Sequence, residues 1–117
     1  MMKDMLMNLP EEITSKRFAL VDKSLSIEEI TTSIKEWEAE QMEDITNAMK
    51  DGKPAFSNVE KRAAELARKK KELPWMVDLE KQLAELKSSY EVDRIYLQYS
   101  IDVQENYRAI ARLGGGD

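Results

Sequence analysis

Residues 51–62 read DGKPAFSNVEKR, which is the pattern of a turn followed by the start of a helix. Gly52 and Pro54 are residues that end helices, because glycine suits the left-handed C-cap and proline cannot continue a helix. Ser57 and Glu60 form a capping box, in which each side chain satisfies a free backbone amide of the first helical turn. The stretch therefore predicts a turn that joins two helices.

The predicted helices on either side of this turn carry opposite charge. Residues 28–44 contain seven acids and one base, whereas residues 60–72 contain six bases and three acids. An antiparallel hairpin would place the acidic helix beside the basic one. A single exposed ion pair contributes only about 0–1 kcal/mol to stability. We therefore expect the opposite charges to favour this pairing of the helices over pairings that place like charges together, and the burial of apolar residues to supply the stability.

A second capping box marks the predicted start of the acidic helix. Ser26 and Glu29 have the required spacing, and an apolar face with steps of three and four residues follows. We predict an acidic helix over residues 26–50. Residues 1–25 are predicted to form a short N-terminal segment packed on the hairpin, with a short helix opening at Pro10. The apolar face begins with Ile27, Ile30, Ile34 and Trp37 and continues less cleanly through Gln41, Ile45, Ala48 and Met49.

Pro74 divides the sequence that follows the turn. A basic helix is predicted over residues 57–73, and proline fits the first turn of a new helix, so a long C-terminal helix is predicted over residues 74–113. Whether Pro74 breaks or kinks the helix stays open. Residues 94–103 also alternate as in a strand, but no turn residue precedes them and no second strand is evident to pair with them, which favours a helix.

These patterns predict an all-α protein with one helical domain over residues 1–117, built as an antiparallel helical hairpin or bundle. The long C-terminal helix is coiled-coil-like, because its leucines step by four and three residues as the a and d positions of a heptad do. Those positions are Leu79, Leu83, Leu86 and Tyr90.

The composition excludes several classes of function. The chain has no His and no Cys, which excludes disulfides, thiol catalysis, histidine-based triads and zinc sites built on those residues. We expect no enzyme activity, no catalytic residue, no metal and no cofactor. The longest apolar run, residues 18–21, is far shorter than the roughly 20 residues of a membrane-spanning helix. We therefore expect a cytoplasmic protein without a membrane partner.

The C-terminal helix is predicted to be apolar on two sides, which is typical of a helix at an oligomer interface. The predicted helix over residues 26–50 spans roughly 37 Å and the one over residues 74–113 roughly 60 Å. The shorter helix cannot cover the longer one, so a second copy of the chain is the simplest cover, and residues 9–24 of the same chain are the alternative. We predict a homodimer, with a further protein partner not identified by the sequence. The predicted interface residues are Tyr96, Tyr99, Val103, Tyr107 and Ile110.

An alternative is that the chain binds single-stranded nucleic acid directly. Cations would contact phosphates while an indole stacks on a base. The net charge of −5 opposes this, and a solvated face that pairs with the acidic helix is the favoured interpretation of the basic run. The residues of this alternative are Arg68, Lys69, Lys70, Lys71 and Trp75.

The turn also carries a resemblance. Its GKxxFSNxxKR pattern, the acidic helix before it and the closing Arg-Leu over residues 108–113 resemble small uncharacterised helical proteins of phage and prophage early regions. The resemblance covers roughly residues 40–113. It implies a link to DNA recombination or replication and supplies no catalytic motif. A non-enzymatic protein that acts by protein–protein contact is the function we expect.

Overall fold

The computed structural model describes the backbone of residues 2–115 and the side chains of residues 8–114, so expectations for Met1 and for residues 116–117 lie outside the described residues. The described residues are helical apart from one two-stranded hairpin and short connections, which confirms the predicted all-α class. In chain order the elements are α1 (Met2–Asn47), β1 (Met49–Lys50), β2 (Lys53–Pro54), α2 (Val59–Glu72) and α3 (Pro74–Gly115).

The chain divides into two compact units. The terminal unit combines Met1–Ser26 with Leu86–Asp117, and the central unit is Ile27–Glu85. The first part of α1 and the last part of α3 belong to the terminal unit, whereas the rest of both helices, the hairpin and α2 belong to the central unit.

Helix α1 continues through Ser26, so the predicted helix start there is wrong, as is the prediction of a separate short segment over residues 1–25. No glycine or proline occurs between Pro10 and Gly52, so no helix-breaking residue lies near Ser26. A serine followed by a glutamate three residues later caps a helix only where the preceding backbone is extended. Pro10 also lies inside α1 instead of opening a helix.

The length argument for a second copy is also wrong. Helix α1 has 46 residues and α3 has 42, so both helices extend about 60–70 Å. In the terminal unit, α1 contacts the C-terminal part of α3 through Lys16, whose ammonium donates to Ser100 Oγ at 2.6 Å. Lys23 donates to Ser89 Oγ at 2.6 Å and also pairs with Asp93. One side of this part of α3 is therefore covered by the same chain.

Each unit has a small buried core. In the terminal unit Leu9 and Ile13 are buried, and Ser100 is buried with its hydroxyl accepting the hydrogen bond from Lys16. In the central unit the buried side chains are Ile34, Ile45 and Met76, of which the last two are less than 2% exposed.

The connection between α1 and α2 is more ordered than the sequence pattern indicates. Strands β1 and β2 pair antiparallel, and both turn residues have positive φ, 55° at Asp51 and 77° at Gly52. Helix α2 begins one residue later than its predicted capping box. Asn58, with extended backbone, is the N-cap, and its Oδ1 accepts from the amide of Lys61 at 2.8 Å. Asn58, and not the predicted Ser57, therefore caps α2.

Pro74 breaks the helix. Helix α2 ends at Glu72, and Leu73 adopts an extended conformation with φ −103° and ψ 106°. Proline disfavours the helical conformation in the residue before it, which explains the break at Leu73. The carbonyl of Leu73 then accepts from the amides of Met76 and Val77 in the first turn of α3. Residues 94–103 are helical, which confirms the helix prediction over the strand alternative.

Candidate functional site

An apolar row lies along α3 in the terminal unit, and most of its side chains are exposed. Tyr96 and Tyr99 are 60% and 66% exposed, which is high for aromatic side chains in a folded protein. The residues of the row recur at short helical spacing, and we call them the α3 stripe: Val92, Ile95, Tyr96, Tyr99, Val103 and Ile110. Of the predicted interface residues, Tyr96, Tyr99 and Ile110 are exposed, whereas Val103 and Tyr107 are half-buried.

A hollow opens between α1 and α3 beside this stripe. It is lined by Lys16 and Ala19 of α1 and by Asp93 and Tyr96 of α3. The small side chain of Ala19 leaves space next to the ring of Tyr96. Lys16 and Asp93 are held by hydrogen bonds to Ser100 and Lys23, so the hollow has ordered walls.

Polar side chains near the stripe bond to one another within α3. The Arg94 guanidinium donates to Glu91 at 3.0 Å, and the Gln98 amide donates to Asp102 at 3.0 Å. These are pairs at spacings of three and four residues on one helix. The Arg94 and Glu91 charges beside the stripe are thus paired within α3, whereas Asp102 accepts a hydrogen bond from Gln98 and keeps its negative charge.

Arg68, the first residue of the basic run, is engaged within α2. Its guanidinium pairs with Glu65 and, at 2.6 Å, with Glu72. The hydrogen bond from Arg68 holds the pKa of Glu65 below its usual range, against a smaller opposing effect of desolvation. The same carboxylates raise the pKa of Arg68. Arg68 is thus occupied by acidic neighbours.

Lys69 and Lys70 reach across to α1, as the charge pattern predicts. Lys69 donates to the side-chain oxygen of Gln41 at 3.1 Å, and Lys70 donates to Glu38 at 2.9 Å. Lys70 also lies 3.2 Å from Glu80 of α3. Burial alone would lower the pKa of Lys70, but its hydrogen bonds to Glu38 and Glu80 outweigh burial, and the pKa lies above its ordinary value.

Trp75 packs edge-to-face on Trp37, with ring centroids 5.9 Å apart and planes at 89°. Trp75 keeps 47% of its surface exposed. The structure thus brings Trp75 against an aromatic partner of the acidic helix, while Arg68, Lys69 and Lys70 are bonded to other side chains. Lys71 is exposed. This arrangement agrees with the favoured interpretation of the basic run, in which it pairs with its neighbours.

The raised pKa of Lys70 predicts how the free energy of unfolding changes at alkaline pH. Protonated Lys70 stabilises the fold fully below the ordinary lysine pKa of about 10.4, and this stabilisation is lost as pH rises through the folded-state pKa. We expect Lys70→Met to reduce the alkaline loss of unfolding free energy, as measured by urea titration at several pH values. Lys71→Met is the matched control and should keep the wild-type dependence; equal slopes in both variants would contradict the prediction.

One cationic feature was missed by the sequence analysis. Lys50 and Lys53 lie directly opposite each other in the hairpin, where the register pairs them across the turn. The signal that could have revealed this is the Asp51-Gly52 dipeptide, because such a pair with both residues at positive φ is typical of a two-residue hairpin. The flanking residues of that hairpin are then cross-strand neighbours.

Among the side chains of residues 8–114, no group of three or more acidic residues is arranged to hold a metal ion. No helix in the described part of the chain combines the length and apolarity needed to cross a membrane. No protein-family model, no curated protein and no solved structure matches this chain.

Proposed function

We propose that this chain is a non-enzymatic helical interaction protein that acts as a homodimer through the α3 stripe. The observation that carries the proposal is the exposure of Tyr96 and Tyr99 within a row of apolar side chains. The stripe exposes on the order of 500 Å² per chain, an area typical of the functional patches of soluble proteins. Water contact with such a patch is unfavourable, and burial of it drives association.

A second copy of this chain is the partner that suits the α3 stripe best. A two-fold contact that buries the stripe of both chains would cover about 1,000 Å², the size at which specific interfaces begin. Such a contact sets each surface against itself, so unpaired like charges would oppose it. The ion pair of Arg94 with Glu91 within α3 supports this partner. The hollow beside Tyr96 offers room for a side chain of the second copy.

The biological setting of this dimer is proposed from the resemblance of the turn sequence to small helical proteins of phage and prophage early regions. The pattern over residues 51–62 supports an origin in a phage or prophage and a link to DNA recombination or replication in the cytoplasm. In this setting the dimer would act by contact with a further protein, and no chemistry by the chain itself is needed.

Light scattering on the purified chain tests the dimer directly. We expect the mass of a dimer at roughly 100 μM, and of a monomer for the double variant Tyr96→Glu with Tyr99→Glu, because association depends on concentration and on burial of the stripe. Both tyrosines are exposed within one chain, so the substitutions should leave the helical circular dichroism signal unchanged.

The matched control places the same two charges elsewhere on α3. Ala84 and Ala109 are exposed and lie outside the stripe, and Ala84→Glu with Ala109→Glu should remain dimeric. A monomeric wild-type chain, or a dimer that persists in the tyrosine double variant, would show that the stripe does not mediate self-association.

A further inference from the structure

The hairpin between α1 and α2 fixes two lysines in one geometry. Lys50 and Lys53 are register partners, and the two residues between them, Asp51 and Gly52, both have positive φ. The hairpin continues inward through a hydrogen bond from the amide of Ala55 to the carbonyl of Ala48 at 2.9 Å. Because directly opposite residues of neighbouring antiparallel strands have their side chains on the same face, the two lysines share one face of the hairpin. Their Cβ atoms are therefore about 5 Å apart.

Like charges directly opposite each other in a sheet repel and destabilise it. Each of the two lysines is exposed, and no ion pair within the described part of the chain includes either of them. This differs from Arg68 and Lys70, which are paired with carboxylates. The two lysines thus form a preorganised cationic pair whose repulsion a bound anion would relieve.

Two further cations follow at the start of α2. Lys61 is exposed, and Arg62 donates to the carbonyl of Phe56 at 3.2 Å, which draws its side chain back toward the connection. Residues 48–62 contain four bases and two acids, so this segment is basic in a chain whose net charge is −5. The segment has the local charge needed to attract a polyanion.

We propose that Lys50 and Lys53 bind phosphates of a nucleic-acid backbone, with Lys61 and Arg62 adding to the local positive field. Lysine binds phosphate as a point charge and needs no fixed fork geometry. A contact of this kind is independent of base sequence and weakens as the salt concentration rises.

An acidic protein surface is the less favoured occupant of this face. Protein interfaces depend on a desolvated core with large anchoring side chains, whereas the residues beside the lysines on this face are Ala48 and Ala55. Phosphate contacts need no such core, because electrostatic attraction supplies nearly all of sequence-independent binding to nucleic acid. The face therefore suits a phosphate backbone better than a folded protein.

Fluorescence anisotropy with a labelled single-stranded oligodeoxynucleotide tests the proposal on the full chain. We expect Lys50→Gln with Lys53→Gln to lower affinity about tenfold near 50 mM salt, and the loss of two phosphate contacts to reduce the slope of log affinity against log salt by about 1.4. Because the substitution removes a repulsive cross-strand pair, the melting temperature should be unchanged or slightly higher.

The matched control is Lys81→Gln with Lys87→Gln, which removes two exposed lysines of α3 and changes the net charge equally. It should bind the oligonucleotide nearly as the wild type does. Equal weakening in both double variants, or no wild-type binding at low salt, would overturn the proposal. Polyaspartate that binds through Lys50 and Lys53 while the oligonucleotide does not would assign the face to an acidic protein instead.

This proposal and the dimer are tested by separate substitutions. The lysine pair belongs to the central unit and the α3 stripe to the terminal unit. Light scattering on Lys50→Gln with Lys53→Gln should still give the mass of the wild type. The failure of one proposal can therefore be told apart from the failure of the other.

Discussion

Met76→Ala is expected to lower the free energy of unfolding by about 2–5 kcal/mol, the range for removing a large side chain from a packed core. Met76 is 0% exposed and, with Ile45 at 1%, is the most buried large side chain described in the chain. The central unit has few buried residues, so few neighbours can move to fill the cavity. Urea-induced unfolding followed by circular dichroism measures the change.

Two variants show whether the loss comes from the cavity. Val77 is next in sequence but 48% exposed, so Val77→Ala should have a much smaller effect. Met76→Leu preserves apolar volume and should cost less than about 1.5 kcal/mol. Equal destabilisation by Met76→Ala and Val77→Ala would show that burial at position 76 does not control the stability of the central unit.

Apolar spacing and charge located much of the central unit from sequence alone. Ile34 and Ile45 belong to the apolar face predicted for the acidic helix, and both are buried. The opposite charges of the two helices predicted their contact, which the bond from Lys70 to Glu38 confirms. These features succeed because helical spacing and charge complementarity are local or pairwise properties of the sequence.

The burial of Met76 was not predicted, because it depends on where α3 begins. Once Pro74 starts a new helix, Met76 shares a face with Leu79 and Leu83 at spacings of three and four residues. The adjacent Trp75 is larger but lies to one side against Trp37 and stays partly exposed. Which residues of a helix face the core after a break depends on the backbone geometry of the break. The spacing of apolar residues in the sequence does not give that geometry.

The sequence favoured a second copy as the cover of the C-terminal part of α3, with residues 9–24 of the same chain as the alternative, and it could not decide between the two. The cover depends on contacts between residues far apart in sequence, such as Lys16 with Ser100 and Lys23 with Asp93. The predicted helix began at Ser26, so it did not include Lys16 and Lys23, which make these contacts in the observed α1. Five of the six residues of the α3 stripe are exposed all the same, and only Val103 is half-buried. This exposure, and not helix length, is what favours self-association.

Glu28→Pro is expected to destabilise the fold by about 3 kcal/mol or more, the cost of proline inside a helix. Glu28 is exposed, so the substitution removes no buried packing. In the continuous α1, proline at this position loses the hydrogen bond to the carbonyl of Ser24 and clashes with that carbonyl. If a helix began at Ser26, the same proline would lie in its first turn, where it is tolerated.

Two alanine variants separate helix continuity from the effects of charge and capping. Glu28→Ala removes the same carboxylate and retains a good helix former, so it should unfold at nearly the wild-type urea concentration. Ser26→Ala would cost about 1 kcal/mol if Ser26 capped a helix, but inside a helix it should be neutral or slightly stabilising. A tolerated Glu28→Pro together with a destabilising Ser26→Ala would place a helix start at Ser26 and refute a continuous α1. The opposite pair of results is expected, because no residue between Pro10 and Gly52 interrupts the backbone hydrogen bonding of the helix before Asn47.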